Sequence, residues 1–267
     1  MELDEEVVLF PVSAALVNNG QAWQARMRGW VFRPEVDRKS RKLALATFGK
    51  LLRVDPTGQE RRIFASRAGG FLVETERGRK LQVRAGMRTV ALNPSSSKGA
   101  FTGTLRVSVE DAHLLSPLGN GFQIRVVTAP GDRRVFEGTV HLVAPQGVSV
   151  ITDIDDTIKI SEVRRQRELI ENIFLRPYRH VSGMPDLYRR WEASGAAFHY
   201  VSASPTQLYD SIARFLKREK FPAGSVHLRQ IHSGGRGILK LLTDPSQMKQ
   251  RAIETLLRRF PARTFVL

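Results

Sequence analysis

The sequence predicts a two-part α/β protein: a β-rich, sandwich-like module over residues 1–147, then a doubly wound α/β domain over residues 148–267. Three observations predict it. Up to residue 147, short apolar runs rich in β-branched and aromatic residues are cut by Gly, Pro and Asn. From Val148 onward, buried-strand runs alternate with stretches of helical periodicity. The chain has 267 residues, of which 42% are hydrophobic, enough for one large core or two small ones.

In the first part, Trp30 to Phe32 reads as a strand ending before Pro34. Phe71 to Val73 reads as another after Gly69-Gly70, and Thr89 to Leu92 as a third, stopped by Asn93-Pro94 and a serine loop. Phe101 to Val109, Phe122 to Val127 and Val135 to Val143 follow, with partial period-two alternation. Only residues 40–52 look helical there. In the second part, Val148 to Ile154 is an apolar run suited to a buried parallel strand. Glu162 to Leu175 and Pro185 to Ala193 read as helices around it, and Ala196 to Val201 as a second strand. Leu208, Tyr209, Ile212, Phe215 and Leu216 share one helical face, with Lys217, Arg218 and Lys220 at the end where cations suit the helix dipole. Val226 to Leu228 is a short third strand. Met248, Ala252, Ile253, Leu256 and Phe260 mark a last helix, stopped by Pro261, and Thr264 to Leu267 begin a fourth strand.

Charge narrows the partners. Lys and Arg number 42 against 26 acids, a net charge of +16. Such a surface favours polyanions: nucleic acid, anionic lipid or phosphorylated substrates. The excess is spread evenly, with 22 basic and 14 acidic side chains in residues 1–147 and 20 and 12 in the rest. No recognised nucleic-acid module accompanies it, so no nucleic-acid partner is expected. The absence of cysteine excludes a disulfide scaffold, a thiolate zinc site and a cysteine nucleophile. No apolar run reaches the 18 residues of a membrane-spanning helix. Asp4, Glu5 and Glu6 stand where a secretory signal carries cations. A cytoplasmic protein, peripheral to membranes, is the expectation.

The most informative segment closes the first α/β strand: Asp153-Ile-Asp155-Asp156-Thr157. Ligands of such sheets sit beyond the carboxyl ends of the strands. One carboxylate can attack an electrophile while the other moves protons, and together they can hold a hard cation such as Mg²⁺. An acidic turn or helix cap is the bland alternative. The second strand ends in Ser202-Ala-Ser204-Pro205, where a hydroxyl can bind phosphate while Ser204 caps a helix begun by Pro205. Lys249, at the start of the last helix, can neutralise a phosphoryl group.

The order Asp153, Asp155, Thr157, Ser202, Lys249 on an α/β chain resembles the haloacid-dehalogenase-like phosphatases and their DxDxT motif. Finer detail narrows this: Asp153 to Ser161, Gly183-Met184 ahead of Leu187-Tyr188 and Trp191, Phe198 to Pro205, and Phe221 to Gly224 are similar to the catalytic domain of actin-patch-type phosphatidate phosphatases. Upstream, Arg28 to Pro34 and the Asn93-Pro-Ser-Ser stretch resemble the region preceding that domain in bacterial relatives. The resemblance implies a HAD-like, Rossmannoid domain and a Mg²⁺-dependent phosphomonoesterase acting on phosphatidate or another anionic lipid at a membrane surface. It implies Asp153 as nucleophile, Asp155 as acid and base, Thr157 and Ser202 as orienting and phosphate-binding groups, and Lys249 as charge stabiliser. The Asp153 carboxylate and the Asp155 carbonyl would hold Mg²⁺. Asp156 stands where many of the wider superfamily have Gly.

One departure is expected to matter. The family carries a further Gly-Asp-Ser-Gly-like motif after the strand that starts at Thr264, and this sequence ends at Leu267. The expectation is a C-terminally incomplete domain with a poor Mg²⁺ site and little activity, unless Asp156 or Asp244 completes the shell. Ser202 follows Asp153 by 49 residues and Lys249 follows Ser202 by 47, which leaves room only for a minimal cap and predicts an open site. Two other readings stay open: a non-catalytic anionic-lipid-binding protein that keeps the fold, and a phosphatase for phosphoproteins or soluble phosphomonoesters. His180, His199, His227 and His232 show no metal-ligand spacing, and His199 is expected in the core. Gly234 to Gly237 lacks the Lys-Ser/Thr ending of a phosphate loop. Trp23 and Trp30 are expected to pack in the β module.

Overall fold

The change of pattern near residue 147 corresponds to two separate hydrogen-bonded sheets in the computed structural model, which describes residues 2–34, 37–117, 119–232 and 246–267. The first sheet has nine strands: β1 (Glu6–Leu9), β2 (Val12–Val17), β3 (Ala22–Arg33), β4 (Glu74–Thr75), β5 (Gln82–Ala85), β6 (Arg88–Ala91), β7 (Ala100–Ser108), β8 (Gly121–Val126) and β9 (Glu137–Leu142). The twelve-residue β3 organises it. One edge of β3 pairs with β7 from Ala22 to Trp30, while its other edge is shared by β2 at Ala22–Ala25 and β1 at Gly29–Phe32. Asn18, Asn19 and Gly20, all at positive φ, turn β2 into β3, as that conformation favours Asn and Gly. Met27, Val31, Phe101, Leu105, Ile124 and Val140 are fully buried between the strands. Trp30 is buried and stacks on Phe32, and Trp23 packs against the same core, so both tryptophans serve packing.

The second sheet is parallel and four-stranded, in the order β12 (Gly224–Arg229), β11 (Ala197–Pro205), β10 (Val148–Thr152), β13 (Thr264–Val266). Side chains alternate across each strand. Val150, Tyr200 and Val226 face a core shared with α4 (Gln166–Phe174), α5 (Met184–Ala193) and α6 (Tyr209–Arg218). Ile151 and Val201 face Leu256 and Phe260 of α7 (Ser246–Arg259) and Ala15 and Val143 of the first sheet. The α/β expectation and the four strands are therefore seen. Gly224 is required by close approach, since a Cβ there would lie 2.2 Å from the Phe198 carbonyl oxygen. Gly183, at φ +79°, turns the chain into α5.

Local differences have local causes. Helix α1 (Arg38–Leu52) follows the pattern, but α2 (Gly58–Gly69) and α3 (Val109–Leu115) also form. Thr57 and Glu60 make a capping box for α2, and Ser108 accepts the Asp111 N–H at 3.0 Å at the start of α3. Phe71 to Val73 is not a strand. Phe71 is fully buried in an aromatic cluster with Phe48 and Phe174, and pairing waits for Glu74. Helix α4 starts at Gln166 instead of Glu162, which is drawn into a loop at φ +59°. The Gly234–Gly237 segment and Asp244 lie outside the described residues.

The two parts share a core. Phe48 of α1 and Phe64 of α2 pack on Phe174 of α4. Arg67 of α2 is buried and donates to the carbonyls of Ile173 at 2.6 Å and Arg176 at 2.8 Å, which a helix end leaves open. Its guanidinium lies 3.6 Å from the centre of the Tyr178 ring. On the other side, the Val226 N–H donates to the Pro11 carbonyl at 3.1 Å, and Arg28 donates to the Val226 carbonyl at 2.8 Å. β12 is thus a covered edge strand. Phe71→Ala should cost about 3–5 kcal/mol, the usual cost of removing a buried ring. Chemical denaturation should show one transition at a lower midpoint, followed equally by probes in both parts.

Candidate active site

β10 lies inside the parallel sheet, between β11 and β13, so its carboxyl end opens at the middle of the sheet edge. Its last residue, Thr152, meets the Tyr188 hydroxyl at 2.8 Å and donates to the Asp153 carbonyl at 2.9 Å. Helix α5, through Tyr188, therefore fixes the strand end under Asp153. The chain then leaves the sheet in a loop from Asp153 to Ser161, pinned from below by Ile154 and Ile158, both fully buried.

The two predicted carboxylates occupy different environments. Asp153 is half-buried. One of its oxygens accepts the Ile154 N–H at 2.7 Å and the other accepts Lys249 Nζ at 2.6 Å. Burial raises its pKa, and Lys249 opposes the rise. Asp155 turns inward. Its Oδ1 takes Lys159 Nζ at 2.8 Å and Ser161 Oγ at 2.7 Å. Its Oδ2 takes Ser202 Oγ at 3.0 Å and Ser204 Oγ at 2.8 Å. Burial alone would raise this carboxyl, but Lys159 and the hydroxyls outweigh it and hold the pKa down at about 2. Among the described residues the Asp153 and Asp155 carboxylates share no hydrogen-bond partner, since the extended backbone ends before them.

The sequence-predicted residues are thus gathered in two groups: Asp153 with Lys249, and Asp155 with Ser202. Thr157 sits half-buried in the loop, with no side-chain hydrogen bond among the described residues. Ser204 does not cap a helix. β11 continues to Pro205, a 3₁₀ turn follows at Thr206–Leu208, and the Ser204 hydroxyl goes to Asp155 instead. Asp156 does not face the site either. At φ +55°, its carboxylate accepts the N–H groups of Ser161, Glu162 and Val163, each at 2.7 Å. The positive φ explains why Gly suits this position, and the three bonds explain what Asp adds there.

Sequence reasoning missed Lys159, Ser161 and Ser204 as parts of the site. Lys159 is only 1% exposed, and its ammonium lies 4.7 Å from the centre of the Tyr178 ring. The available signal was a lysine between Ile158 and Ile160, in a run otherwise bound for the core. Such a charge needs a carboxylate. For a divalent cation, the Asp153 carboxylate and Asp155 carbonyl are hard oxygens of the right kind. No group of three or more His, Cys, Asp or Glu that could hold a metal occurs among the described residues. His199 is a packing residue, fully buried, 2.8 Å from Ser225 Oγ and kept neutral by burial at a pKa of about 3.

Residues 148–267 match the family model described as phosphatidate phosphatase APP1, catalytic domain. Phosphatidate phosphatase APP1 of Saccharomyces cerevisiae is 30% identical over 131 residues, covering 48% of this chain and 22% of that protein. An uncharacterized protein of Schizosaccharomyces pombe is 29% identical over 139 residues, covering 50% of this chain and 22% of its own. The chain spans about a fifth of the length of these curated relatives.

Removing Lys159 should expose what it neutralises. Lys159→Met should destabilise the protein by about 3–5 kcal/mol, because Asp155 would remain buried without its cation. The Asp155 pKa is depressed on folding, so its contribution is complete above the unfolded value of about 3.9 and is lost as pH falls toward 2. Denaturation midpoints measured between pH 5 and 2 should fall in the parent and fall less steeply in the variant.

Proposed function

We propose, from the match of residues 148–267 to the phosphatidate phosphatase catalytic-domain model, that this protein is a Mg²⁺-dependent phosphatidate phosphatase of HAD-like fold. The observation that carries the proposal is the Asp153–Lys249 pair at the carboxyl end of an internal parallel strand. A half-exposed carboxylate there can reach a phosphoryl group, and the ammonium beside it can meet the phosphoryl oxygens. Asp153 attacks phosphorus, the bond to the lipid alkoxide breaks, and the alkoxide takes a proton to leave as diacylglycerol. Water then attacks the aspartyl-phosphate, loses a proton, and releases phosphate with Asp153 restored. Asp155 is the group for both proton transfers. In the free protein it is held ionised, the form that accepts the proton from water. To donate in the first transfer, Asp155 must first take up a proton from solvent, which substrate makes possible by loosening the carboxylate's hold on Lys159. Ser202 binds phosphate once its bond to Asp155 is exchanged, and Thr157 orients the loop. When bound, Mg²⁺ on the Asp153 carboxylate and the Asp155 carbonyl would neutralise charge on the phosphoryl group.

The net charge of +16 supports a substrate presented on an anionic surface, and no described helix is long and apolar enough to cross a membrane. Peripheral association in the cytoplasm follows as part of the proposal. Phosphate release from phosphatidate in mixed micelles, with a chelator control and a phosphopeptide comparison, tests it. Preference for phosphopeptides would assign the other phosphatase reading, and no metal-dependent turnover of either would leave lipid binding alone.

Two variants test the mechanism. Asp153→Asn should reduce phosphate release to background and abolish beryllium fluoride trapping. Lys249→Met removes the interaction that opposes burial, so the Asp153 pKa should rise further. Because attack needs the ionised carboxylate, the acidic limb of kcat/KM should move to higher pH. An unmoved limb would remove Lys249 from this role.

A further inference from the structure

The nine-stranded sheet, β12 and α7 enclose a cleft of about 760 Å³. Arg26 and Arg28 of β3, Lys98 before β7, Arg229 at the end of β12, and Arg251 and Arg259 of α7 line it, and no Asp or Glu does among the described residues. Elsewhere arginines find acids: Arg33, Arg79 and Arg134 each pair with carboxylates. Among the described residues, Arg26, Arg28, Lys98, Arg251 and Arg259 pair with none. Arg28 donates to the Val226 carbonyl, Lys98 to the Gln230 carbonyl and Arg259 to the Gln24 carbonyl, all neutral acceptors. The buried Nε of Arg259 has no hydrogen-bond partner among the described residues.

We propose that this cleft is a binding site for a phosphate-bearing polyanion, separate from the Asp153 carboxylate. Like charges on facing walls repel, and a low-dielectric cleft of one sign concentrates ligands of the other. The strain is visible in the Arg28 guanidinium, whose pKa is lowered to about 10 by burial and then by Arg26 and Arg259. His227 is pushed down by burial, by Arg28 and by Arg259, and so stays neutral. Guanidinium groups suit phosphate because they donate in pairs. The volume and the several cations call for more than one phosphate group. Among the described residues no Phe, Tyr or Trp lines the cleft, so the stacking platform that single-stranded nucleic acid uses is not seen there. The ligand is therefore a compact polyphosphate or a polyphosphorylated headgroup. The inference goes beyond the phosphatase proposal and does not rest on it, since binding needs no turnover.

The test uses the full chain carrying Asp153→Asn, so that no ligand is consumed. Sodium tripolyphosphate is titrated calorimetrically at 0.15 M salt, and co-sedimentation is measured with phosphatidylcholine vesicles with and without phosphatidylinositol bisphosphate. Adding Arg26→Gln and Arg251→Gln, both exposed on the rim, should weaken binding at least tenfold with an unchanged denaturation midpoint. Adding Arg62→Gln and Lys217→Gln, on a second basic surface beside Tyr178, should leave binding unchanged. Vesicle binding displaced by tripolyphosphate supports a headgroup as the source, and soluble binding alone supports a free polyphosphate. Absent binding, or equal losses from the two pairs, overturns the site. Tighter binding of a single-stranded oligonucleotide, lost with Arg26 and Arg251, overturns the ligand.

Discussion

A lysine ammonium buried to 1% exposure must be neutralised where it lies, and the site is built around how this is done. Asp155 supplies the opposite charge, and Ser161, Ser202 and Ser204 supply the remaining donors. Two of these serines sit at the end of β11, so the network also ties the β10 loop to its neighbouring strand. Asp156 secures the far end of the loop through three backbone N–H groups. With Asp155 and Asp156 both committed, Asp153 is the carboxylate left facing outward. Its one charged hydrogen-bond partner among the described residues is Lys249, delivered from the opposite face of the sheet by α7. Division of labour between the carboxylates is therefore a packing result, expressed in opposite pKa shifts.

The same economy joins the two parts of the chain. α1 and α2 contribute Phe48, Phe64 and Arg67 to the core behind α4, although they fall within the β-rich part of the sequence. Arg67 acts as a remote C-cap for α4, a role normally filled from within a few residues of the helix end. Arg263 does similar work at the entry to β10, donating to Ser149 Oγ and to the Ala144, Gln146 and Val148 carbonyls. These buried arginines spend their donors on backbone oxygens, which fixes strand and helix ends without requiring acids.

The parallel strands and their helices were legible because buried strands and amphipathic helices leave distinct periods in the sequence. Helix α2 was not, because it buries little beyond Phe64, Arg67 and Ala68 and so carries almost no periodicity. Its Thr57–Glu60 capping box was the readable sign. In the site, Asp153, Asp155, Ser202 and Lys249 could be picked out by residue type and by their positions after strands. Their pairing could not, because β10 ends at Thr152 and the chain turns between Asp153 and Asp155, which no residue pattern announces. Lys159 escaped because a charged residue in an apolar run shows only that a partner is needed, and not which carboxylate provides it.

Charge illustrates the same limit at larger scale. The surplus of cations was plain from composition, and its even division between the two parts argued against any concentration. Yet even spacing along the chain says nothing about spacing on the surface. β3 brings Arg26 and Arg28 from one part, and α7 brings Arg251 and Arg259 from the other, onto facing walls of one cleft. Their convergence depends on the contacts that dock β12 against β2 and β3, chiefly the Pro11 and Arg28 bonds to Val226. The interface that stabilises the fold is thus also what brings these cations onto one cleft.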